Sequence, residues 1–79
     1  MKEQELRQLF STNIKKCRNR RNLSQAKLAK QIHISTNFIS DIETGKKWVS
    51  PLTLANLAEA LEVNVYELFK PDESSSDDT

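Results

Sequence analysis

QAKLAKQIHISTNFISDIETG, residues Gln25 to Gly45, carries two helical patterns separated by His33, Ile34 and Ser35. Each half is shorter than the roughly 12 to 15 residues below which an isolated helix is marginal in water. Neighbouring parts of the chain must therefore hold both. In the second half Ile39 and Ile42, with Phe38 at their edge, define one face. Asn37, Ser40, Asp41 and Thr44 recur at i, i+3, i+4 and i+7 and form an opposite polar stripe, with Thr36 at its N-terminal end. A connection this short makes the two helices cross steeply, as a turn of three or four residues does in a helix-turn-helix.

The helix starts are marked by a recurrent pattern: an apolar residue, Ser or Asn, three residues, then another apolar residue. It occurs at Leu23-Ser24-Leu28, Ile34-Ser35-Ile39, Val49-Ser50-Leu54 and Val63-Asn64-Leu68. Ser and Asn cap helices because the side-chain oxygen accepts an orphan backbone N–H, and the flanking apolar pair closes as a hydrophobic staple. Pro51 suits the first helical position, and Glu67 stands where a capping box with Asn64 would place it. Gly45 and Pro71 serve as stops.

Upstream, Leu6, Phe10, Ile14, Cys17 and Arg21 follow helical spacing, and the fourth helix has an inner face of Leu54, Leu57, Ala58 and Leu61. No alternating strand pattern occurs. The expectation is an all-α fold of five helices near 3–21, 25–32, 36–44, 51–61 and 65–70, in one domain of residues 1–71. Residues 72–79, DESSSDDT, offer nothing apolar to bury and are expected to be a disordered acidic tail.

Seventy-nine residues with 37% hydrophobic content allow one small core and no deep pocket. The single cysteine, Cys17, excludes an intrachain disulfide and suits a small core position in a reduced compartment. The charged N-terminal stretch MKEQELRQLF lacks a signal-peptide core, and no apolar run spans a membrane. A cytoplasmic protein is expected. The net charge of +1 conceals an asymmetry: residues 1–48 hold eleven Lys/Arg against four Asp/Glu, and residues 49–79 hold one against seven. A basic half points to a polyanion partner, although a run such as Lys15, Lys16, Arg18, Arg20 and Arg21 also describes an ordinary solvated helix face.

The polar stripe, the short turn, the basic half and the Lys46-Lys47 pair combine more specifically than any one of them, because base-reading side chains need flanking phosphate contacts to fix their register. The segment Leu23–Leu61 resembles the helix-turn-helix of the lambdoid phage repressor and Cro superfamily, the XRE family of bacterial regulators. The resemblance is carried by Leu23-Ser24-Gln25, Leu28-Ala29, Ile39-Ser40, Ile42-Glu43, Gly45-Lys46 and Leu57-Ala58-Glu59-Ala60-Leu61, and spans roughly residues 6–70.

That resemblance implies a helix-turn-helix core at 24–44 and a sequence-specific regulator of transcription, a repressor, binding double-stranded DNA as a homodimer. It implies base contacts from Thr36, Asn37, Ser40 and Asp41, and backbone contacts from Ser24, Gln25, Thr44, Lys46 and Lys47. Gln25 would hold a phosphate through its side-chain amide beside a helix N-terminus. Arg18 and Glu43 would form an internal structural ion pair. His33 stands where the family usually has a left-handed glycine.

The third helix has neither Arg nor Gln for strong bidentate readout, which leaves Asn37 for adenine, Asp41 for cytosine N4 and the Thr36 methyl for thymine. One half-site should bind weakly, so two linked copies are expected. Tyr66, Leu68 and Phe69 are candidates for that two-fold contact, or they close the end of the domain. Trp48 packs on the fourth helix or lies against a sugar-phosphate strand; packing is preferred.

Neither a metal nor another cofactor is expected, since His33 has no accompanying ligand set. No catalytic arrangement or small-molecule substrate site is legible either. Two other readings keep the domain but change its use: an antitoxin or restriction-modification controller, and a protein-interaction module that has lost DNA binding.

Overall fold

Four α-helices and one 3₁₀ turn follow one another in the computed structural model, which describes residues 1–71. They are α1 (Glu3–Arg20), α2 (Gln25–Gln31), α3 (Thr36–Glu43), α4 (Pro51–Leu61) and a C-terminal 3₁₀ helix (Val65–Phe69). No strand occurs among the described residues. The acidic tail expected at 72–79 lies outside them.

Three of the four marked caps are made as the pattern expects. Ser24, Ser35 and Ser50 accept hydrogen bonds from the backbone N–H groups of Lys27, Phe38 and Thr53. Pro51 occupies the start of α4. The fourth cap is a correction: Asn64 makes no side-chain cap bond, and the last element is 3₁₀. Its tighter winding lets the Glu67 N–H bond the Asn64 carbonyl at 2.9 Å, so the donor that a capping box would satisfy is already taken.

The helices also end alike. After α1, α2, α3 and α4 the chain enters left-handed backbone at Asn22, His33, Gly45 and Glu62, with φ of 57°, 62°, 80° and 58°. The residue after each donates back into its helix, Leu23 to Arg18, Ile34 to Ala29, Lys46 to Asp41 and Val63 to Ala58, at 2.8–3.1 Å. These are Schellman closures, which satisfy the orphan carbonyls. Only Gly45 takes the left-handed φ without a Cβ penalty. Leu23 and Ile34 close one helix and precede the serine cap of the next, so two connectors of the same plan join α1 to α2 and α2 to α3.

Phe10, Ile14, Leu28, Ile39, Ile42, Leu57, Leu61 and Leu68 are the large side chains of a single core, with Cys17 buried beside them. α2 packs on α3, and α1 packs on both α3 and the 3₁₀ helix. Trp48, preferred as a packed residue, has aromatic partners. Its ring lies 5.0 Å from Phe10 and 6.3 Å from Phe69, centroid to centroid, and so joins α1 to the C-terminal turn. Phe10 stacks on Phe69 at 5.2 Å and completes the trio. The six residues from Gly45 to Ser50 give the chain the reach that brings Trp48 to these partners.

Leu68, grouped with Tyr66 and Phe69 as a candidate dimer contact, is another correction. It is 0% exposed and closes the core from below, which leaves it nothing to offer a second chain. In a 3₁₀ helix residues three apart share a face, so Tyr66 and Phe69 lie together and turn away from the direction of Leu68. Leu68 points in, Phe69 is half-buried against Phe10, and Tyr66 stays 60% exposed.

Candidate nucleic-acid interface

α3 is eight residues long, and its position is set by what it buries. Ile39 and Ile42 are fully enclosed, and Phe38 packs at the core margin. The Ser11 hydroxyl of α1, also buried, lies 2.9 Å from the Ile42 carbonyl and 2.7 Å from that of Arg7. It can offer its single proton to either one, which ties α1 to the end of α3.

Glu43, the last residue of α3, is the second tie. Arg18 Nε donates to its Oε2 at 2.6 Å and Arg18 Nη2 to its Oε1 at 3.1 Å, a two-point pairing of guanidinium and carboxylate. The side chains are only 10% and 2% exposed. Arg18 Nη1 donates to the Leu23 carbonyl at 2.7 Å, and Gln25 Nε2 to Glu43 Oε1 at 3.0 Å. A buried charge is tolerable only when paired and hydrogen-bonded, and here both conditions hold.

The outward residues divide along α3. Thr36 and Asn37, at its N-terminal end, are exposed, whereas Ser40 and Asp41 are half-buried one turn later. Thr44 is exposed, and its hydroxyl donates back to the Ser40 carbonyl at 3.0 Å. Lys46 and Lys47 follow on the exposed loop beyond Gly45. Ser24 is exposed, with its hydroxyl oxygen accepting the Lys27 N–H. Gln25 is half-buried and committed by one N–H to Glu43.

The fold therefore puts Thr36, Asn37 and the Lys46-Lys47 loop at the two ends of one short helix, with α2 packed behind it. A sequence model of the HTH_3 helix-turn-helix family matches residues 14–68.

The chain belongs to the HTH_3 helix-turn-helix family.

HTH_3 proteins are regulators that bind double-stranded DNA. Solved structures that resemble this member include the following three. The restriction-modification controller protein C.AhdI from Aeromonas hydrophila shares 28% identity over 80% of this chain and 96% of its own, with a TM-score of 0.76. A hypothetical transcription factor, NHTF, from Neisseria is 25% identical over 100% of this chain and 91% of its own, with a TM-score of 0.83. The clp gene regulator ClgR from Corynebacterium glutamicum is 27% identical over 80% and 67%, with a TM-score of 0.77. None of the curated proteins compared matches the chain.

Two positioning residues escaped the sequence reading. Ser11 fixes the end of α3, and the buried Asn13 donates to the carbonyls of Leu68 and Lys70 at 3.1 and 2.8 Å, which anchors the C-terminal turn on α1. Their signal was position: they flank the arc of Phe10, Ile14 and Cys17 on either side, and a polar residue buried at that margin must find a partner.

No helix among the described residues is long and apolar enough to cross a membrane.

Proposed function

We propose that this HTH_3 protein is a sequence-specific transcriptional regulator of the cytoplasm that represses by occupying an operator as a homodimer. The observation that carries the reading is α3 itself: two enclosed isoleucines and a buried carboxylate inside, exposed Thr36 and Asn37 outside, and exposed lysines just beyond its end. A helix so held can enter a major groove without unwinding, and its N-terminal residues are those that reach base edges.

In this reading Asn37 hydrogen-bonds adenine, the Thr36 methyl meets a thymine methyl, and Asp41 accepts from cytosine, with Ser40 beside them. Lys46 and Lys47 neutralise phosphates, while Ser24 and Thr44 face the sugar-phosphate strand. The loop lysines supply affinity and α3 supplies choice. Tyr66, with Phe69 behind it, offers the apolar surface for a two-fold contact.

The test is selection of duplexes from a random pool at physiological salt. A two-fold symmetric consensus, bound by two chains, is the expected outcome. Binding that ignores salt would overturn it in favour of a protein-interaction module, because each neutralised phosphate contributes a slope of about −0.9.

A second reading, a controller of a restriction-modification system, is favoured by the likeness to C.AhdI over 96% of that chain. It keeps the same DNA contacts and changes only the regulated genes. Locating the selected consensus upstream of restriction or methylation genes would favour it.

A further inference from the structure

We infer that Gln25 is a positioning residue, which holds the crossing of α2 and α3 through Glu43 and so controls how faithfully α3 discriminates between DNA sequences. The inference rests on the DNA-binding reading above and deepens it. It also departs from the phosphate contact that the resemblance assigns to the Gln25 side chain.

Three parts of the chain converge on one carboxylate: Arg18 from α1, Gln25 from the first turn of α2, and Glu43 itself from the last turn of α3. Glu43 Oε1 accepts from both Arg18 Nη2 and Gln25 Nε2. An ionised carboxylate only accepts, so the amide must turn its nitrogen toward Glu43, and a single N–H remains for any other partner. Arg18 extends the tie to the Leu23 carbonyl at 2.7 Å, two residues before Gln25. The start of α2 is thereby fastened to the end of α3 both directly and through the guanidinium. Releasing the direct bond loosens the α2–α3 crossing and permits a small tilt of α3 over its buried isoleucines. A tilt of this kind displaces Asn37 and Thr36 from base edges while the loop lysines, on flexible stems, still reach phosphates.

The decisive variant is Gln25→Met, which keeps the side chain's length and removes its donor. Affinities for the selected duplex and for a random duplex are measured side by side, together with the NMR resonance of the Arg18 Nε–H. The expected result is about a tenfold loss on the selected duplex, the scale of one lost charge-assisted hydrogen bond, with random-duplex affinity unchanged and the Arg18 signal shifted. Equal loss on both duplexes would make Gln25 a phosphate contact and overturn the inference. So would no loss on either, or a loss with the Arg18 signal unmoved. If the unaltered protein binds both duplexes alike or neither, it is the regulator reading that fails, and an Arg18 signal unmoved in Gln25→Met would still refute the link to Glu43. Thermal unfolding of Gln25→Met checks that the variant is folded at the assay temperature.

Discussion

The two faces of α3 are built on opposite terms. Inside, Ile39, Ile42 and Glu43 are fixed by enclosure and by a two-point ion pair. Outside, Thr36 and Asn37 project into solvent. Eight residues cannot make a stable helix by propensity, so the inner face supplies the rigidity that lets the outer face read. The division implies that stability and DNA preference separate by residue. Inner substitutions should unfold the protein, and outer ones should change only what it binds.

The largest test is Glu43→Ala. It strands the Arg18 guanidinium, 10% exposed, and is expected to cost about 3 to 5 kcal/mol in denaturant unfolding. A loss below about 1 kcal/mol would class this pair with surface pairs. Ile39→Ala comes next: emptying a fully enclosed site should cost about 2 to 5 kcal/mol, depending on how far Leu28 and its neighbours collapse.

On the outer face, Asn37→Ala should leave unfolding within about 0.5 kcal/mol of the parent. It should remove about 1 to 3 kcal/mol of discrimination at one base position in competitive binding. Its counterpart, Lys46→Ala, should weaken all duplexes alike and flatten the salt dependence by about 0.9. Outer variants that lowered stability as Ile39→Ala does would dissolve the distinction between the faces.

The turn before α3 sharpens it further. His33 bears the left-handed backbone, φ 62°, where Gly45 carries 80° freely. His33→Gly should add up to about 1 kcal/mol in thermal unfolding, strain relief partly offset by the greater freedom of glycine in the unfolded chain. The smallest effect is expected from Arg21→Ala. The Arg21–Glu62 pair, at 2.9 Å, joins the ends of α1 and α4 much as Arg18–Glu43 joins α1 to α3. Its side chains are 36% and 67% exposed, and such a pair contributes about 0.2 to 1 kcal/mol.

Much of this architecture was legible without coordinates. Ser24, Ser35 and Ser50 announce their helices because a cap is a bond between residues three apart, and the periodic Phe10-Ile14-Cys17 stripe marks the buried side of α1. Three helices stop one residue short of the periodicity because Arg21, Ile32 and Thr44 are already half-turned toward the left-handed residue that follows. That Asn22 and Glu62 would accept such backbone was not legible. Neither is glycine, and the demand comes from the next helix needing to begin at once.

Sequence by itself determined where helices begin, which faces of α1, α3 and α4 are apolar, and the class of fold, since each depends on bonds and contacts among near neighbours. Only the tertiary structure decided which of several competent partners each distant group took. Gln25 turned to Glu43, Trp48 crossed to Phe10 and Phe69, Leu68 went inward, and the last turn wound as 3₁₀. Such choices are competitions among donors, rings and cavities brought together by the whole chain, and near-neighbour spacing carries no record of who is close enough to compete.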